Sequence, residues 1–195
     1  MTPSDTPATD RDIILAFFDR EETAQGAVNS LIEQDFPLDR VSVLGKPGGA
    51  GDDPLGVYYT SAGERIKGWG KMGALWGGLF GLLGGAFGMF VVPGIGPMMI
   101  AGPLIDTLVG AGVGGALMAG GASLSELTVA IHRMGVPEER LQETQQFIES
   151  GHYVLLLIVR DDETEGWRQK LERQSPQALW SYPYVGIGDF LTGSS

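Results

Sequence analysis

Few side chains in this chain are suited to chemistry. Its only histidines are His132 and His152, and it has no cysteine. His132 follows Ile131 in a stretch with helical spacing, and His152 stands beside Gly151 at the start of an apolar run. Neither belongs to a His/Cys/Asp group at metal-ligand spacing, so both read as packing or surface residues. Ser42 and Ser61 have no base nearby in sequence, and a hydroxyl without a base is a poor nucleophile. Asp161-Asp162-Glu163 with Glu165 could gather a cation. The run precedes an amphipathic stretch, so a helix cap and a solvated first turn are the simpler reading. No Walker loop or strand-linked dinucleotide fingerprint is present. The expectation is a protein that is not an enzyme, with no cofactor or metal.

The dominant feature is instead apolar and glycine-rich. Met72 to Ala122 carries one charge, Asp106, and about half of the chain's 31 glycines. Gly73, Gly77, Gly81 and Gly85 recur every four residues, and Gly110 and Gly114 begin a second row. Residues four apart share a helix face, so each row is a smooth groove where another backbone can approach. Pro93, Gly94, Gly96 and Pro97 form a ready break between two arms, since proline removes a donor and glycine permits positive φ. As a helix, Met72 to Val92 would reach roughly 32 Å, close to the thickness of a hydrocarbon core. This predicts a helical hairpin over 63–122 whose arms pack through glycines.

Asp106 complicates a membrane hairpin, because a carboxylate at mid-depth costs at least about 2.5–3.5 kcal/mol unless paired or neutral. Three arrangements stay open: a bilayer-inserted hairpin with Asp106 at a helix–helix contact, a soluble assembly with hairpins packed between subunits, and a hairpin in the interfacial plane. Pro103 offers a further option. A helix starting there puts Asp106 in the first turn, where the dipole favours a negative charge.

The remainder reads as a split α/β domain over 11–62 and 123–173, after a polar leader over 1–10. Ile13–Phe18 is a strand. Asp19 and Glu22 have the spacing of a capping box for a helix carrying Ala24, Ala27, Val28 and Leu31. Phe36-Pro37 ends that helix, and Val41, Val43 and Leu44 begin a second strand. Val57–Thr60 is a candidate third strand. Ser123 to Glu126 opens another helix, Gly135-Val136-Pro137 breaks it, and Leu141, Phe147 and Ile148 line the next. Tyr153–Val159 is a strand, and Asp161–Arg173 an extra C-terminal helix. The fold class is α+β: a ferredoxin-like βαββαβ-type domain with an inserted Gly-rich apolar helical hairpin.

Several of these segments resemble a known family. Phe17-Phe18-Asp19-Arg20-Glu21-Glu22 with Ala24, Ala27, Val28 and Leu31, then Phe36-Pro37 and Val41-Ser42-Val43, resembles the start of the bacterial general stress protein 17M-like domain. Pro93-Gly94-Ile95-Gly96-Pro97 followed by Ala101-Gly102-Pro103 resembles the Gly-rich middle of such proteins. Met134 to Glu139 and Gly151 to Val159 resemble their closing half. The resemblance runs from Ile13 to Arg173. It implies a stress-associated bacterial membrane protein and supplies no catalytic residues.

Charge and tail complete the picture. A formal net charge of −11 argues against nonspecific nucleic-acid binding, which needs a basic surface. Arg65, Lys67 and Lys71 precede the apolar segment and fit a cytoplasmic side for the soluble domain. The expected partners are membrane lipid and further copies of the chain. The tail over 174–195 carries Trp180, Tyr182, Tyr184 and Phe190, candidates for contact with a protein partner or for packing on the domain itself. A soluble oligomeric module that binds a small molecule, with the hairpin between subunits, is the alternative.

Overall fold

The computed structural model describes residues 10–46, 87–92, 96–108 and 124–185. Strand β1, Arg11–Phe18, is buried from Ile13 onward, as its unbroken apolar run requires. Helix α1, Glu21–Glu33, follows and buries Ala24, Ala27, Val28 and Leu31. Its N-cap is Arg20, one residue later than the spacing of Asp19 and Glu22 suggests, and no side chain caps it. Glu21 and Glu22 in the first turn complement the helix dipole instead. The helix ends in a Schellman motif. Asp35 takes φ 53, Asp35 N–H donates to Ile32 O, and Phe36 N–H donates to Leu31 O.

Strand β2, Val41–Gly45, is buried throughout. Strands β3, Phe87–Val92, and β4, Gly96–Ala101, pair antiparallel from Phe87↔Ala101 to Val92↔Gly96. A short helix α2, Leu104–Leu108, follows. Helices α3, Leu124–Arg133, and α4, Glu138–Glu149, are separated at Gly135-Val136-Pro137, as their sequence requires. Pro137 is the N-cap of α4 rather than its first helical residue. Strand β5, Tyr153–Arg160, leads through a 3-10 turn, Asp161–Glu163, into α5, Thr164–Glu172. Strand β6, Ala178–Pro183, ends the described chain's regular structure.

The six strands form one sheet in the order β3-β4-β2-β5-β1-β6, and every neighbouring pair is antiparallel. β1 and β2 therefore run parallel with β5 between them. Helices cover both faces. Ile13, Leu15, Phe17, Met98, Ile100, Leu156 and Ile158 pack with α2, α3 and α4. Ile14, Ala16, Phe18, Val43, Met99, Leu155 and Leu157 pack with α1 and with Leu171 and Trp167 of α5. Antiparallel sheets often leave one face to water, with apolar and polar residues alternating. Here both faces are dry, which is why the central strands read as continuous apolar runs.

Three expectations change. First, Met72 to Val92 is not one helix: Phe87–Val92 and Gly96–Ala101 are paired strands. The reversal falls where Pro93, Gly94, Gly96 and Pro97 suggest, but it joins strands. An apolar run by itself does not distinguish a strand from a buried helix, and Phe and Val favour the strand. Second, Tyr153–Arg160 is a central strand rather than the closing one. Third, of the two readings open for the tail, packing on the domain itself holds for Ala178 to Pro183, and it packs there as a strand. It pairs with β1 from Asp12↔Pro183 to Phe17↔Ala178. The proline at its end disguises it, since proline within a run argues for an edge strand or none. The proposed strand Val57–Thr60 and most of the two glycine arms lie outside the described residues.

Candidate functional site

The residues singled out by sequence fall into four groups. Gly73, Gly77, Gly81, Gly85, Gly110, Gly114, Pro93, Gly94 and Phe190 lie outside the described residues. Gly96, at φ 99, and Pro97 open β4. Asp106 sits in the first turn of α2 with its side chain exposed. Its helix neighbours Leu104, Ile105 and Leu108 are buried, so the carboxylate faces the only direction where water can solvate it. Trp180, Tyr182 and Tyr184 pack on the chain's own core beside Leu141 and Phe147. Their contacts within the chain are those of a sheet edge.

What the sequence does not announce is a cleft at the end of α4. Glu143, Gln146, Phe147 and Ser150 recur at intervals that share one helix face, and His152 joins them across the turn. The turn is a Schellman motif: Gly151 takes φ 79, Gly151 N–H donates to Ile148 O, and His152 N–H donates to Phe147 O. That reversal brings the imidazole back over the helix. The cavity volume is about 260 Å³.

Two of its lining residues, Phe147 and His152, belong to an aromatic cluster that continues behind the cleft. Phe147 stacks on Phe17 of β1 with centroids 4.5 Å apart, and His152 meets Phe147 edge-on at 5.0 Å. Trp180 of β6 lies 4.7 Å from Phe17. Arg140 covers the Trp180 ring at 5.1 Å and donates to Glu143 Oε2 at 2.6 Å. Beside it, burial pushes the Tyr182 phenol up, against the opposing influence of Arg140. The helical spacing on α4 was legible in the sequence. The meeting of His152, Phe17 and Trp180 was not, because they lie far apart along the chain.

Glu143 is engaged by Arg140. His152 Nδ1 is buried and has no hydrogen-bond partner. The other histidine is structural, with His132 Nδ1 donating to Val136 O at 2.7 Å across the C-terminus of α3. Among the described residues no group of three His, Cys, Asp or Glu side chains is placed to hold a metal ion. Among them, too, no helix is long and apolar enough to cross a membrane. Comparison with protein-family profiles, with curated proteins and with solved structures returns no match.

Proposed function

We propose that this chain is a non-enzymatic protein that self-assembles through its glycine-rich arms, with the α+β domain as the scaffold that presents them. The observation that carries this reading is the fate of the middle of the apolar segment. Met98, Met99, Ile100, Ala101, Leu104, Ile105 and Leu108 are core residues of the domain. The uncharged segment is thereby interrupted, and what remains are the stretches 72–86 and 109–122. As a helix, either would reach roughly 22 Å at about 1.5 Å per residue. That is short of a hydrocarbon core of about 30 Å. Close packing of Gly73, Gly77, Gly81 and Gly85 against another copy's row offsets the roughly 1 kcal/mol that each helical glycine costs relative to alanine.

The scaffold itself we read as ferredoxin-like, with a different set of elements from the one the sequence suggests. β1-α1-β2 followed by β5-α5-β6 has the βαββαβ order, and β2-β5-β1-β6 is the strand order of that arrangement. In support, α1 and α5 pack on the same face. On this reading everything between Gly45 and Tyr153 is one insertion, and α5 is the second helix of the unit rather than an addition.

A second reading keeps the same arms but places them at a membrane surface, with the domain on the cytoplasmic side. Arg65, Lys67 and Lys71 beside the first arm favour it. An association with stress rests on the family resemblance alone. Carbonate and detergent fractionation of the intact chain, followed by sizing with light scattering, tests both. Self-assembly predicts a detergent-free oligomer that Gly77→Leu and Gly114→Leu reduce. A detergent-free monomer in which neither variant has an effect would overturn it, and retention with membranes through carbonate would favour the second reading.

A further inference from the structure

We propose that the outer edge of β3 is a second self-association surface, on which another copy of this chain docks its own β3 antiparallel, joining two six-stranded sheets. The proposal rests on the self-assembly reading above but concerns a different surface from the glycine arms.

The two edges of the sheet are treated differently by the chain. β6 is closed. Tyr184 N–H donates to Arg11 O, so strand alternation turns Pro183 away from β1, where its missing N–H leaves a gap in any further ladder. The turn between α3 and α4 covers the same end: Val185 N–H donates to Met134 O at 3.1 Å, and a side chain at Gly135 would meet the Pro183 carbonyl. Such devices are how natural sheets discourage pairing at an edge.

Among the described residues β3 has none of them. Phe87-Gly88-Met89-Phe90-Val91-Val92 contains no proline and no charge, and no described residue pairs with its outer side. A six-residue strand of this composition is a template for another strand. The occupant follows from charge. Two copies of a chain with formal net charge −11 repel wherever acidic surfaces meet. From Phe87 to Ile105 there is no ionisable side chain, so here two copies can approach without placing like charges opposite each other. Self-pairing also fits a two-fold axis, because an antiparallel strand is its own complement.

The absence of native cysteine makes the test clean. Met89→Cys, Phe90→Cys and Val91→Cys, each alone in the full-length chain, are oxidised mildly and run without reductant. Antiparallel pairing about the middle of β3 brings at least one of these positions within disulfide reach of its own copy. The expected result is a disulfide-linked dimer from at least one of them, no dimer from a Val129→Cys control on exposed α3, and persistence of the dimer in Gly77→Leu. Met89→Lys should lower the particle size while leaving the far-UV circular dichroism unchanged. An oligomer that Gly77→Leu disrupts but that gives no cross-link at any β3 position overturns the edge and leaves the arms standing. A monomeric wild-type chain overturns both.

Discussion

The backbone N–H of Leu104 donates a buried 3.0 Å hydrogen bond to Ser42 Oγ, tying the start of α2 to the middle of β2. The same crossing needs Gly102, whose φ is 92 and whose position leaves no room for a side chain beside the Val41 carbonyl. Ser42→Ala leaves a buried donor without an acceptor and should cost about 1–3 kcal/mol in denaturant unfolding. Gly102→Ala should cost more, since it adds a steric contact and an unfavourable φ. Equal stability of Ser42→Ala and wild type would remove the anchoring role.

Removal of the chain after Arg173 tests whether β6 belongs to the domain. Without it the edge of β1 and the Phe17–Phe147 stack lose their cover. The truncated chain should lose near-UV circular dichroism and cooperative unfolding. A truncated chain that unfolds with the wild-type midpoint would show the strand to be dispensable.

Gly135 should not tolerate a side chain. It takes φ 120 at the end of α3, and a Cβ there would strike the Pro183 carbonyl. Gly135→Ala should destabilise by more than the roughly 1 kcal/mol expected from helix-cap effects alone. Hydrogen exchange should report it first in β6 and in the α3–α4 turn.

Stability should fall in strong alkali through Tyr153. Burial, then the charges of Glu21 and Glu22, raise its phenol from 10.0 to about 12. The folded chain thus keeps a proton that the unfolded chain releases. The contribution is whole below pH 10 and is lost as pH rises from about 10 through 12. Tyr153→Phe should flatten that part of the pH–stability curve. If the curve keeps its wild-type slope between those values, another group is responsible.

Asp106 should be nearly silent. Its carboxylate is exposed on the first turn of a short helix, so Asp106→Asn and Asp106→Lys should each change folding stability by no more than about 0.5 kcal/mol. A large loss for Asp106→Lys alone would indicate a contact made only in an assembly. Sizing of both variants at matched concentration separates the two cases.

Local periodicity and backbone chemistry decide the α+β class, α1 with its apolar stripe, the break at Gly135-Val136-Pro137 and the β5 run, so all of these were legible in the residues alone. The reversal around Pro93 to Pro97 was legible there too. What that reversal joins depends on long-range pairing. Phe87–Val92 is a strand because β4 lies beside it, and β4 is a strand because β2 offers Val43, Leu44 and Gly45 as partners. Strand order was beyond reach for the same reason. That β5 divides β1 from β2, and that Ala178–Pro183 closes the sheet, are pairings between residues far apart in the chain, fixed by which apolar faces can be buried together. The cleft at His152 is of this kind as well. Its four helical residues have a readable spacing, but Phe17 and Trp180 come to lie behind Phe147 only when the sheet brings β1 and β6 beneath α4.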